Sequence, residues 1–421
     1  MTPPPAPRVR ALSFHAGYRC RNTGVCCSSG WDIPVEREMH LRNALASGRL
    51  RIPEATIAST LPGALTGRGD ACFRSVPGLP HGSRVVLASH SSGRCIFLES
   101  DRRCAIHRQL GLEALPSACR DFPRVVTLTP LGVSITLSHY CPTAAGMLFA
   151  PVTPRDPRQP GPEGSAVRIL ESPAGFPPSW PYEGLEARDA LPPLRRPGVL
   201  MDWPSLERWE QFAVSVLGDD RRTPEAALDV LAEAAERARR WNPEDGPLGE
   251  WLLLSFRGAP SASGDEESTG AGRSLARRPP PNALGMIEAW RLVAECVPHR
   301  ALLPPAPESL DDADLGLVAP GWPSLAVPVR RWLAAKAFAS WLALQGEGLR
   351  TTALGLRVAL GVLRAEAARG CAEAGRTLDA ELLKEAVRRA DLLLVHLADP
   401  AELAKRLSHW ERSGQPTRAA W

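Results

Sequence analysis

The chain has 421 residues, of which 44% are hydrophobic and 23% are charged, and its formal net charge is +4. This length accommodates two or three domains with cores of their own, and the composition is that of a soluble globular protein. No apolar run approaches the roughly 18 residues that a membrane span needs, and so small a net charge excludes nucleic acid as the expected partner.

The first residues, "MTPPPAPR", carry prolines where a secretory signal would carry its apolar stretch. We therefore predict a disordered tail over residues 1–12 of a cytoplasmic protein. Because cytoplasmic thiols are kept reduced, the cysteines of such a chain are expected to bind metal or to be catalytic, and not to form disulfides.

Eight of the ten cysteines lie before residue 142. They are Cys20, Cys26, Cys27, Cys72, Cys95, Cys104, Cys119 and Cys141. The same part of the chain is basic, since residues 1–145 hold 17 arginines against 9 acidic residues, a formal charge of +8. Arginines near thiols would lower the thiol pKa and offset the charge of a thiolate-ligated metal, although a solvated basic face would explain the charge equally well.

Short elements are predicted between these cysteines. A weak hairpin, Arg84–Leu98, carries Cys95 on its return strand, and "CAIHRQLG" and "PSACRDFP" are short helical pieces. A stronger hairpin signal covers Arg124–Ser138, with a turn at Pro130-Leu131-Gly132. Short elements bury little apolar area, so we predict that residues 13–150 form a small metal-stabilised domain.

The remainder of the chain changes character. Residues 151–200 are predicted to form a proline-rich connector, and residues 201–421 a helical domain with a disordered loop at 258–282. Helical periodicity covers five segments: Ser205–Leu217, Pro224–Trp241, Val329–Leu344, Thr351–Arg369 and Leu378–Leu397. The predicted fold class is α+β, mostly α, with short β-hairpins in the cysteine-rich domain followed by a helical bundle.

The spacing of the cysteines leaves the metal open. It matches neither the paired C-x2-C knuckles of a zinc ribbon nor the common ferredoxin run. One four-thiolate cluster with spare thiols and two zinc sites are both compatible with the count. His107, three residues after Cys104, and His139, two before Cys141, are further candidate ligands. Cys72 could also serve as a ligand, although an unligated thiol is the preferred interpretation.

Several ordered motifs carry a family resemblance. They are "FHAGYRCRNTGVCCSSGWDIPVERE", "CIFLESDRRCAIHRQLGLEALPSACRDFPR" and "LSHYCP". Together they resemble the zinc- or iron-chelating cysteine-cluster proteins (YkgJ-like), and within these the flagellin lysine N-methylase (FliB-like) group. The resemblance implies that the metal ligands are Cys20, Cys26, Cys27, Cys95, Cys104, Cys119 and Cys141.

The same resemblance implies an iron–sulfur cluster (4Fe-4S) or zinc, S-adenosylmethionine as methyl donor, and a protein substrate such as flagellin. This chain departs from the pattern in one place, because Thr23 stands where family members often have a further cysteine. Neither a glycine-rich nucleotide loop after a strand nor a C-x3-C-x2-C run is present. The sequence therefore leaves two functions open: a protein-lysine methyltransferase with a metal cluster, and a non-catalytic zinc- or iron-binding protein.

Overall fold

The computed structural model describes residues 7–53, 69–76, 84–90, 92–150, 167–195, 198–257, 285–298 and 316–413, together with residues 303, 306, 307 and 314. Within them the fold is α+β and mostly α, as the sequence predicts. The helices are α1 Glu38–Ala46, α2 Ala105–Leu110, α3 Ser117–Asp121, α4 Pro142–Met147, α5 Trp203–Gly218, α6 Pro224–Ala238, α7 Leu248–Arg257, α8 Met286–Ala294, α9 Ala326–Ala337, α10 Leu349–Ala374, α11 Ala380–Asp391 and α12 Pro400–Ser413. The strands are β1 Val9–Leu12, β2 Phe73–Ser75, β3 Val85–Leu87, β4 Arg124–Thr129, β5 Gly132–Leu137, β6 Ile169–Glu171, β7 Leu185–Glu186, β8 Pro193–Arg195 and β9 Val199–Leu200.

The chain divides into two compact units. The smaller unit consists of Tyr18–Arg124 and Cys141–Thr143, and the remaining residues form the larger unit. All eight cysteines that precede residue 142 belong to the smaller unit. The boundaries predicted for the cysteine domain, 13–150, differ from those of the smaller unit, because residues 125–140 pair with strands of the larger unit.

A five-stranded sheet in the order β6-β1-β5-β4-β7 organises the larger unit. Strand β1 runs parallel to β5, with Val9 opposite Val133, and antiparallel to β6. All four residues of β1 are buried. The structure therefore places an interior strand at Val9–Leu12, within the stretch predicted as a tail, whose residues 1–6 lie outside the described residues.

The predicted hairpin at Arg124–Ser138 is confirmed as β4 and β5, with Pro130 and Leu131 between them. The proline-rich connector contains more regular structure than expected: β6, β7, β8 and β9 all fall within it, and its residues 151–166 and 196–197 lie outside the described residues. These strands are only two or three residues long, which is why neither period nor composition signals them.

Four of the predicted helical segments are confirmed as α5, α6, α10 and α11, the last of which continues into a π-helical turn. The fifth, Val329–Leu344, is helical only as far as Ala337, where α9 ends; Ala339 has φ +53°, and Leu342–Leu344 is a separate 3-10 turn. Two of these helices follow local capping rules at their starts, since the Asp202 and Asp379 side chains accept from backbone N–H groups in the first turns of α5 and α11. Helix α10, 26 residues long, packs against α6, α8, α11 and α12 in the main core. None of the described helices is long and apolar enough to cross a membrane. The predicted loop 258–282 lies outside the described residues.

The smaller unit is built around a two-stranded antiparallel sheet, in which Phe73 of β2 faces Leu87 of β3. On the other side of β3, the segment Ile33–Val35 adds backbone hydrogen bonds of 3.0 Å to Val85 and Leu87. The structure differs from the weak hairpin predicted at Arg84–Leu98. Strand β3 pairs with β2 instead of with its return segment, which forms only a single bridge, between Ser89 and Cys95.

A glycine fixes the turn that carries the adjacent cysteines of the smaller unit. Gly24 has φ +71°, and a Cβ there would lie 3.1 Å from the Arg102 Cβ and 3.2 Å from Leu98 Cδ1. Gly48 has nearly the same φ, +72°, but a Cβ at that position would have nothing within 4 Å. A comparison of alanine substitutions at the two glycines therefore distinguishes the cost of backbone strain from the cost of a steric clash.

We expect Gly24→Ala to lower the free energy of unfolding by about 2 kcal/mol, and Gly48→Ala by about 1 kcal/mol, because only the first adds a steric clash to the left-handed backbone. Urea unfolding of the two variants measures both values. Equal losses would show that the contact of Gly24 with Arg102 and Leu98 contributes nothing.

Candidate metal centre

Backbone hydrogen bonds bring distant cysteine-bearing segments together in the smaller unit. Cys26 and Cys27 lie in a single 3-10 turn, Val25–Cys27, and the Cys27 carbonyl accepts from the Cys95 N–H at 2.7 Å. A bridge between Leu98 and Cys104 then places Cys104 directly before α2. Cys119 lies within α3. Main-chain contacts that do not depend on the thiols thus join the turn with Cys26 and Cys27 to Cys95, and the chain after Cys95 to Cys104.

The thiols themselves interact. The Cys26 and Cys27 sulfur atoms are 3.9 Å apart. A hydrogen bond from the Cys27 thiol lowers the pKa of Cys104 to about 7, and burial opposes this change while the backbone N–H groups of His107 and Ile106 support it. The same interaction raises the pKa of Cys27 far above its usual range, and the contact between Cys27 and Cys26, which shares the single Cys27 proton, lowers the pKa of Cys26. The interaction with Cys27 therefore favours the thiolate form of Cys104.

Two further thiols complete this set. Burial, reinforced by the charges of Cys104 and Cys26, raises the pKa of Cys95 to about 12. Burial also raises the pKa of Cys119 well above the usual range, with added repulsion from Cys95, Cys104 and Cys26. Five of the seven predicted ligands therefore lie within electrostatic reach of one another. We call this set the five-thiol group: Cys26, Cys27, Cys95, Cys104 and Cys119.

The five-thiol group is not arranged as a finished metal site. In the part of the chain that the structure describes, no three side chains of His, Cys, Asp or Glu are placed so that they could hold a metal ion. The Cys27 sulfur interacts with those of Cys26 and Cys104, and Cys95 and Cys119 are influenced by the other thiols only through their charges. None of the ten cysteines, all of them within the described residues, is in a disulfide.

The other two predicted ligands lie elsewhere, beside Tyr18. The Tyr18 hydroxyl is 4.0 Å from the Cys141 sulfur, and the Cys20 sulfur accepts from the Asn22 N–H at 3.4 Å. Burial, followed by the charges of Cys141 and Cys20, raises the pKa of Tyr18 beyond its usual range. Cys20 is exposed, whereas Cys141 is buried.

The remaining sequence candidates have different surroundings. Cys72 is fully buried in the core of the smaller unit and contributes to the raised pKa of Cys95. His107 is exposed on α2. Arginines of this unit pair with carboxylates: Arg42 with Glu38 at 2.6 Å, Arg74 with Asp32, and Arg108 with Glu99. The thiol pKa values are set mainly by burial and by other thiols.

A second cluster of titratable groups, in the larger unit, was missed by sequence reasoning. His139 lies fully buried after β5, and its Nδ1 and backbone N–H are 3.1 and 2.5 Å from Asp391 Oδ2. Lys336 Nζ and Trp332 Nε1 reach the other carboxylate oxygen at 2.6 and 2.8 Å. The His15 and His139 Nε2 atoms are 3.1 Å apart. His139 is thus part of a histidine–aspartate array.

The array extends to a π-helical turn, Leu392–Leu397, that follows α11. Within it, His396 Nε2 lies 2.7 Å from the hydroxyl oxygen of Ser138. One signal in the sequence could have indicated the array: Asp391 is an acidic residue directly before the apolar run "LLLV" on an otherwise buried helix face. Charged residues at such positions are almost always paired in the folded protein.

Comparisons with known proteins give one likeness. The chain is 25% identical to the flagellar biosynthetic protein FliU of Salmonella muenchen over 143 residues, which are 34% of this chain and 76% of that protein. No family model matches the chain. No solved structure matches it either.

The hydrogen bond between Cys27 and Cys104 makes a testable prediction about thiol reactivity. In chelator-treated protein, alkylation of Cys104 by iodoacetamide should be half-maximal near pH 7, because the thiolate is the reacting species. Cys27→Ala removes the donor, so the alkylation rate at pH 7 should fall by about tenfold as the pKa returns toward its ordinary value. Peptide mass spectrometry measures the rate at Cys104.

Cys371→Ala, in the core of the larger unit, is the matched control and should leave this rate unchanged. An unchanged rate in Cys27→Ala would contradict the assigned hydrogen bond.

Proposed function

We propose that the smaller unit binds a thiolate-ligated metal centre, an iron–sulfur cluster or zinc, through the five-thiol group. The supporting observation is the Cys27–Cys104 pair, in which one thiol already stabilises the other as a thiolate near neutral pH. Thiolates are the form in which cysteine binds metals. When bound, such a centre supplies positive charge to its ligands and cross-links the segments that carry them.

The chemistry of the donor set fits this proposal. The pKa values of Cys95 and Cys119 are raised because a bare thiolate is costly in their buried surroundings. A metal cation removes that cost, and both thiols would release their protons on binding. The thiols would have to converge around the metal, because no three of the described side chains are placed to hold an ion.

We further propose that the protein methylates lysine side chains of a flagellar protein in the cytoplasm, with S-adenosylmethionine as the methyl donor. The support is the motif resemblance to flagellin lysine N-methylases together with the likeness to a protein named as flagellar biosynthetic. A non-catalytic metal-binding role is the alternative, and it is favoured by the lack of a recognisable nucleotide loop in the sequence.

Metal content tests the first proposal. Protein purified without oxygen should carry stoichiometric iron and sulfide and be brown, or carry stoichiometric zinc and be colourless. Cys104→Ser and Cys27→Ser should lose most of the metal, whereas Cys371→Ser, with its sulfur in the larger unit, should keep it. Elemental analysis and a sulfide assay give the readout. Protein without stoichiometric metal, or full retention in Cys104→Ser, would refute the five-thiol group as the site.

Transfer of labelled methyl groups tests the second proposal. Wild-type protein incubated with labelled S-adenosylmethionine and purified flagellin should place label on lysine, and Cys104→Ser should not. Metal-loaded protein that transfers no label to flagellin or to proteins of a cell extract would favour the non-catalytic role and leave the metal proposal standing.

A further inference from the structure

The direction of each hydrogen bond in the histidine–aspartate array follows from its neighbours. Asp391 is ionised, because Lys336 and His139 more than offset burial and hold the pKa of its carboxyl below the usual range. A carboxylate only accepts, so the Nδ1 of His139 must carry the proton. In a neutral imidazole the other nitrogen then has a lone pair, and His139 Nε2 is an acceptor.

This assignment fixes the tautomer of His15. Its Nε2 lies 3.1 Å from the His139 Nε2 acceptor and must therefore donate. The Nδ1 of His15 is left as a lone pair, and it has no hydrogen-bond partner among the described residues. The side chain is fully buried. A second proton could be added only at Nδ1, where no acceptor among the described residues faces it.

The charges around His15 are already balanced. The ionisable groups that face it are His139 after β5, Lys336 on α9 and Asp391 on α11. With both histidines neutral, the cation of Lys336 and the carboxylate of Asp391 cancel. Protonating His15 would give the buried array a net positive charge without a counter-ion, which is costly in a protein interior.

We propose that His15 is a pH-sensitive latch: its neutral imidazole fastens the chain after β1 to the end of β5, and protonation releases it. Strands β1 and β5 are parallel neighbours, so their carboxyl ends meet at one edge of the sheet, where His15 and His139 stand. Loss of the contact between His15 and His139 would remove a link between the two strand ends and would lower the stability of the larger unit in acid.

The direction of the pH dependence follows from linkage. Burial, followed by the charges of His139 and Lys336, lowers the pKa of His15 well below its ordinary value. As the pH falls, the unfolded chain therefore binds a proton at His15 before the folded chain does. The stability that His15 contributes is complete above its unfolded pKa of about 6.5 and is lost as the pH falls below that value.

Urea unfolding of the full chain tests the latch, and tryptophan fluorescence reports on the larger unit because all of the 12 tryptophans except Trp31 belong to it. Between about pH 7.5 and about pH 5.5 the unfolding equilibrium constant should rise by about tenfold more in the wild type than in His15→Gln. Glutamine keeps an N–H donor but cannot titrate. His409→Gln, which removes an exposed histidine of the same unit, should respond to pH as the wild type does.

Nuclear magnetic resonance of the wild type tests the latch without any variant. Ring ¹⁵N shifts should show His15 as the neutral tautomer protonated at Nε2, with no titration while the chain remains folded. A His15 ring that titrates near its ordinary pKa in the folded chain, that carries its proton on Nδ1, or an equal pH response of wild type and His15→Gln would overturn the proposal.

Discussion

The larger unit depends on one fully buried charge, the carboxylate of Asp391. Taking a carboxylate out of water costs several kcal/mol unless partners replace the lost hydration. Here the partners come from separate elements: the backbone and ring of His139 after β5, and Lys336 and Trp332 on α9. Each donor is positioned by its own element, so the end of the sheet, α9 and α11 must all be in place before the charge is satisfied.

The order of the elements along the chain makes this constraint more demanding. Strands β1 and β5 pair in parallel with Val9 opposite Val133, and most of the smaller unit lies between them in sequence. Closing so long a connection has an entropic cost that grows only slowly with its length. The pairing is then held by buried contacts at the strands, including the 2.8 Å bond from Arg10 to Glu210 and the array at the carboxyl ends.

The long helices could be predicted from sequence because their signals are local: a period of 3.6, capping residues such as Asp202 and Asp379, and few competing turns. Strand β1 could not, since four residues after a run of prolines have no period, and their burial is decided by partners more than 100 positions away. The proximity of several thiols could also be predicted, because the cysteines are clustered in sequence. The array joins positions 15, 139, 336 and 391, and no local pattern links them.

The two units differ in how their buried ionisable groups are stabilised. In the larger unit the Asp391 carboxylate has a full set of donors and a compensating cation. In the smaller unit the Cys104 thiolate is stabilised by one thiol and by backbone N–H groups, while Cys95 and Cys119 stay protonated because burial raises their pKa. The Asp391 site is complete with the chain's own side chains. In the five-thiol group, the charges that act on Cys95 and Cys119 are mainly those of other thiols, so burial and repulsion together keep both thiols protonated.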